Sequence, residues 1–236
     1  MNKKVLNFSI LIITFTSIFY ACSKNDEVIS NIDFTNPKED IGKLHNEDLQ
    51  YILTNVSEIP KKGEVKPYVE KLLNQKYNRG LKSIVSLESI PDFPENIEDL
   101  DLNTWLKEFN LSSALKLEIS RTFELIQSEP DLNVLIAEIE TRELEANNLF
   151  EGAELELYYE HLAVAKYTSI FWYPEEQGGL NGIQYLDIQN LKSSSNLKSI
   201  QAVNWWKVLG VDCIGGMMGG PVGYAGASGI AVIMQL

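Results

Sequence analysis

Between Ile41 and Phe171, apolar residues recur three and four places apart, in runs that proline or glycine closes. Strands would need an alternation of two, so each run must wind into a helix and bury one stripe of its surface. Ile41, Leu44, Leu49, Ile52, Leu53 and Val56 fit one or two helices ending before Pro60. Val65 to Tyr77 fits another, with Val69, Leu72 and Leu73 on one face and Arg79-Gly80 to close it. Residues 84–99 hold Pro91, Pro94 and several acids and read as a loop. Asn103 is the expected N-cap of a helix carrying Trp105, Leu106 and Phe109. Ser112 or Ser113 caps a segment in which Leu115, Ile119, Phe123 and Ile126 recur, up to Glu129-Pro130. Leu132, Leu135, Ile136, Ile139 and Leu144 mark one more helix. Over 152–173, Leu155, Tyr158, Tyr159, Leu162, Tyr167, Ile170 and Phe171 keep the period until Pro174 stops it. The expected fold is mainly α, an irregular helical bundle over residues 38–175. Gly178-Gly179, Gly182 and a Ser193-Ser194-Ser195 run make 176–204 read as an irregular linker.

The end of the chain obeys a different rule. Asp212 is the last charged residue, and the 24 residues from Cys213 to Leu236 carry no charge. Eight of the fifteen glycines fall between Gly210 and Gly229. Gly215, Gly219, Gly223, Ala227 and Ala231 stand at four-residue steps, and Gly216 and Gly220 add a second pair. On a helix this makes a ridge of small residues, along which two backbones can approach closely. A large side chain at Gly219 is then expected to hold them apart. Pro221 breaks or kinks the middle of the run. Residues 205–236 therefore read as a glycine-rich apolar tail, first as a kinked helical hairpin packed on the body. A membrane-inserting or self-associating segment and a disordered end are the alternatives.

Charge limits the partners. The formal net charge is −13, from 33 acidic and 20 basic residues. Such a surface has no basic face for nucleic acid phosphates and repels anionic headgroups. Membrane contact must then come from lipid or from apolar sequence. Cys22 and Cys213 are the only cysteines, too few for a disulfide framework or a cysteine metal site if Cys22 is modified. Cys213 then reads as a buried small hydrophobe.

No catalytic constellation emerges. His45 and His161 stand alone, with Tyr158 rather than an acid three places before His161. No metal-binding His-Glu-x-x-His, nucleophile elbow or phosphate loop is present. Glu138, Glu140, Glu143, Glu145, Glu154, Glu156 and Glu160 read as a solvated helix face. Tyr167, Phe171, Trp172 and Tyr173 could stack a sugar ring, but read first as core at the end of a helix. Catalytic residues, metal and cofactor are each expected to be none.

The beginning carries the clearest address. Asn2-Lys3-Lys4 is a short basic start, Val5 to Ala21 is uncharged and rich in Ile, Leu and Phe, and Ala21 precedes Cys22. This is the layout of an export signal. Phe19-Tyr20-Ala21-Cys22 resembles the lipobox of bacterial lipoproteins, although Phe19 and Tyr20 depart from its aliphatic and small positions. The resemblance implies a signal peptide over 1–21 and lipid attachment at Cys22, with palmitate-type acyl chains. A polar tether over 22–37 follows. Two or three chains give stable anchoring where one would not. Ser23-Lys24-Asn25-Asp26-Glu27 looks like the export signal of Bacteroidota surface lipoproteins, which implies the outer membrane or the cell surface. Trp206-Lys207, Asp212 and Gly215-Gly216 resemble the ends of uncharacterised lipoproteins of that group, and the glycine-rich ends of small membrane-active bacteriocins. These resemblances assign no activity. The expectation is a non-enzymatic binding or interaction protein with an envelope or protein partner. Its rival is a membrane-active protein working through 205–236.

Overall fold

The computed structural model describes residues 34–77, 85–94, 97–129, 131–186, 191 and 203–236, without the side chains at 62, 98, 213, 214 and 218. The expected signal, Cys22, most of the expected tether, Arg79-Gly80, the triple serine and the Cys213 side chain lie outside that set. Contacts divide the chain into Met1–Thr35 and Asn36–Leu236. The second unit is mainly helical, with no strand among its described residues.

Its helices are α1 (Glu39–Asn55), α2 (Val65–Tyr77), α3 (Leu102–Glu108), α4 (Ser113–Ser128), α5 (Leu132–Leu149), α6 (Gly152–Trp172) and α7 (Trp205–Gln235). Local chemistry sets their ends. Asn36 opens the turn into α1: its side-chain oxygen accepts from Lys38 N–H at 2.9 Å. Asp101, rather than Asn103, caps α3, accepting from the amides of Asn103 and Thr104. Ser112 caps α4 and Asp131 caps α5 in the same way.

Helix α6 is the axis of the bundle. Tyr158, Leu162, Ala163, Val164, Ala165 and Phe171 are all essentially inaccessible, and from His161 to Trp172 the helix is covered on nearly every side. A stretch buried on nearly all sides belongs in the middle. Helix α1 lies close against it: a Cβ at Gly42 would sit 2.6 Å from the Ala163 carbonyl oxygen.

Helix α7 completes the core. Gly220 adopts φ 63° and ψ −155°, a region essentially closed to side-chain-bearing residues, and breaks α7 into two arms. Pro221 starts the second arm, where its missing N–H costs nothing. The arms fold back on each other. A Cβ on Gly215 would strike the Gly223 carbonyl and the Ala227 methyl, and one on Gly216 would enter the Tyr224 ring. Ala227, Ile230, Ala231 and Ile233 are buried together with residues of α1, α2 and the 85–100 segment. The apolar tail is thus an interior hairpin of the same compact unit as the body. Each arm is 15 residues long, about 22 Å at the helical rise. No described helix is long and apolar enough to cross a membrane.

The 176–204 stretch, read as a linker, is packed where it is described. A Cβ at Gly179 would strike the Tyr173 carbonyl, one at Gly182 would enter the Phe171 ring, and Leu186 and Leu191 are buried.

Candidate functional site

Four polar side chains, distant in sequence, meet in the interior. His45 comes from α1, Thr168 from α6, and Asp212 and Ser228 from the two arms of α7; none is exposed. His45 Nε2 lies 2.8 Å from Ser228 Oγ and 3.3 Å from Asp212 Oδ2. The Ser228 hydroxyl donates to Asp212 Oδ1. The Thr168 hydroxyl donates to Asp212 Oδ2 at 3.2 Å. His45 Nδ1 faces Asn46 Oδ1 at 3.0 Å. The Asn46 amide donates to the Tyr167 carbonyl at 2.8 Å, which turns its oxygen toward the ring.

Serine, histidine and aspartate together suggest a nucleophilic relay, but the geometry rules one out. A relay holds the acid on one ring nitrogen and the hydroxyl on the other. Here both meet Nε2, and the serine proton goes to Asp212 rather than to the ring. With all three buried, no substrate reaches the hydroxyl. The cluster is a polar lock that fixes the hairpin against α1 and α6. An unmatched member would cost the desolvation of a buried charge.

Two other buried acids are matched in the same way. Asp48 accepts from the Tyr77 hydroxyl at 2.7 Å and from Lys76 Nζ at 2.5 Å. Burial, then that bond to Asp48, pushes the Tyr77 phenol up. Glu143 accepts from Asn36 Nδ2 at 2.7 Å and from Lys166 Nζ at 3.1 Å. Glu143 is therefore an exception to the solvated acidic face, being 2% exposed. His161, packed edge-on to Phe123, is pushed down to about 3 by burial and then by the nearby Arg142 charge. No group of three or more His, Cys, Asp or Glu residues among the described ones could hold a metal ion.

The accessible chemistry lies elsewhere, where the start of α7 meets the end of α6. Trp172, Tyr173 and Pro174 face Trp205 and Trp206 across a cleft of about 350 Å³, closed on its third side by residues 126–129 at the end of α4. Trp205 meets Tyr173 edge-to-face at 5.1 Å, and the Tyr173 hydroxyl donates to the Glu129 carbonyl at 2.6 Å. Burial, then the Glu129 and Asp131 charges, pushes that phenol up. A second cleft of about 200 Å³ lies between α4 and the start of α3, with Asp101, Asn103, Ser120 and Glu124 on its walls. Gln127 and Trp206 line both clefts. Lys207 Nζ stands over the Trp206 ring, 5.3 Å from its centroid, while donating to the Ile97 carbonyl at 3.3 Å.

No protein-family model, curated protein or solved structure matches this chain. The reading of the site rests on its own residues.

Of the small-residue ridge, the structure brings Gly215, Gly223 and Ala227 into one contact and buries Ala231 farther along the second arm. Gly219 stands apart: it is exposed beside the kink, and a Cβ there would meet only Ser89 Oγ, at 3.6 Å. The aromatic set divides. Phe171 is core, whereas Trp172 and Tyr173 are mostly buried and also wall the cleft. Sequence reasoning missed Gln127 and gave Trp205 and Trp206 no binding role. The adjacent tryptophans were the available signal, because two large amphipathic rings in succession cannot both be buried on one side of a helix.

Proposed function

We propose that this chain is a lipid-anchored, non-enzymatic binding protein of the cell envelope, and that its ligand enters the tryptophan-walled cleft. The carrying observation is the contrast between two polar sites. The His45–Asp212–Ser228 cluster is sealed, whereas the Trp205–Trp206 cleft is open and combines aromatic walls with amide and carboxylate groups. Concave sites with apolar walls and a few convergent polar groups are the usual form of ligand sites, and about 350 Å³ falls within their ordinary range. The anchor is the acylated Cys22 inferred from the leader, with the outer membrane or cell surface as destination. The net charge of −13 supports a partner other than nucleic acid. A membrane-active role through 205–236, or self-association through the ridge, would first have to pull the hairpin and its paired His45 and Asp212 apart.

The test is fluorine NMR on the chain labelled with 5-fluorotryptophan, which has four tryptophans to report. Titration with a soluble envelope extract should move the Trp205 and Trp206 resonances and leave Trp105 in place. Movement of Trp105 alone, or of none, would remove the cleft from the account.

A further inference from the structure

We propose that the ligand of this cleft is a neutral oligosaccharide that runs through both clefts past Trp206 and Gln127; this rests on the binding reading above. The first argument is the shared wall. Trp206 and Gln127 belong to both clefts, so the two spaces share one aromatic ring and one amide. A ligand that fills both must repeat a unit with a flat apolar face and a hydrogen-bonding rim. Pyranose rings have that form: their C–H faces stack on indole, and their hydroxyls reach amides and carboxylates.

The second argument is charge. The walls carry Asp101, Glu124 and Glu129 and no Lys or Arg. The three carboxylates disfavour an anionic ligand. Cations would suit the carboxylates, but the Trp206 ring already carries the Lys207 ammonium. A second cation on that ring would meet a like charge at close range. A neutral polyol meets neither obstacle. Ser120, Asn103, Gln127 and Gln177 supply donors and acceptors for hydroxyls along the two clefts.

Isothermal calorimetry on the full mature chain, in a detergent without a sugar headgroup, tests this. The probes are maltohexaose, cellohexaose, mannohexaose and xylohexaose, with hexagalacturonate and hexalysine as charged counterparts. At least one neutral hexamer should bind, and its disaccharide should bind more weakly because it fills one cleft. Trp206→Ala should weaken the hexamer by about tenfold, the scale of one lost aromatic contact. Gln127→Ala, at an exposed side chain, should weaken it too and guards against misfolding of the first variant. Binding of hexalysine that Trp206→Ala abolishes would overturn the saccharide and keep the cleft. Hexamer binding indifferent to both substitutions would overturn the cleft as well. Failure of every neutral hexamer to bind would overturn the proposal.

Discussion

Substituting Gly223 with alanine tests whether the glycine ridge closes the hairpin. The added Cβ would strike the Gly215 carbonyl oxygen and lie 3.0 Å from the Gly215 carbonyl carbon. Both obstacles are backbone, so no side chain can rotate away. The arms must part by about 1 Å to restore normal contact distances. Parting them also loosens Ala227 on Gly215 and draws Ser228 away from Asp212. Overpacking of this kind costs about 1–3 kcal/mol, against about 0.5–1 kcal/mol gained by replacing glycine in a helix. Gly219→Ala is the control, because its Cβ meets only Ser89 Oγ, at 3.6 Å. It should be neutral or slightly stabilising. The pair should therefore differ by about 2 kcal/mol, or roughly 4–8 °C in melting temperature for a domain of this size. Thermal unfolding of the full mature chain by far-ultraviolet circular dichroism reads the difference. Two variants that melt within about 0.5 kcal/mol of each other would refute the backbone contact.

Three further predictions follow from the buried groups and the leader. His161 is held at about 3 when folded against an ordinary 6.5. The unfolded chain thus binds the extra proton first, so stability is complete above 6.5 and falls as pH drops toward 3. About 2 kcal/mol should be lost by pH 5 in urea titrations. His161→Gln should flatten that slope, and an unchanged slope would mean the ring is not held neutral. His45→Leu should cost about 3–5 kcal/mol by stranding Asp212 in the core, and adding Asp212→Leu should recover much of it. Strictly additive losses would show that the two do not pair. Cys22→Ser should abolish incorporation of labelled fatty acid, whereas equal labelling of mutant and wild type would remove the lipid anchor.

The helices were legible because their stripes are local. Leu115, Ile119, Phe123 and Ile126 can be read from a single segment, and all four are buried on α4. Caps were legible to within a residue or two: Asp101 displaces Asn103 because its carboxylate reaches the amides of both Asn103 and Thr104. The role of α6 was harder to see. Its apolar face reads clearly, but only the charge-free run Leu162–Ala165 hints that the opposite face is covered too. The hairpin was read from its glycines, yet the tight contact falls at Gly215 and Gly223 rather than Gly219. A kink at Gly220 reverses the chain, so the four-residue register cannot continue through it. The polar lock could not be read at all, since His45 and Ser228 stand 183 residues apart. Glu143 was hidden in an acidic run because its partners, Asn36 and Lys166, lie on other elements. The cleft likewise joins α3, α4, α6 and α7, and no one of these segments announces it.

Site-specific photocrosslinking in living cells tests the central claim most directly. A benzophenone amino acid at Gln127 sits where the two clefts meet, and one at Gln75 sits on an exposed position of α2 away from them. Illumination should produce a discrete adduct at position 127, none at 75, and the 127 adduct should disappear with Trp206→Ala. Equal adducts at both positions, or an adduct at 127 that survives the loss of Trp206, would contradict ligand binding in the tryptophan cleft.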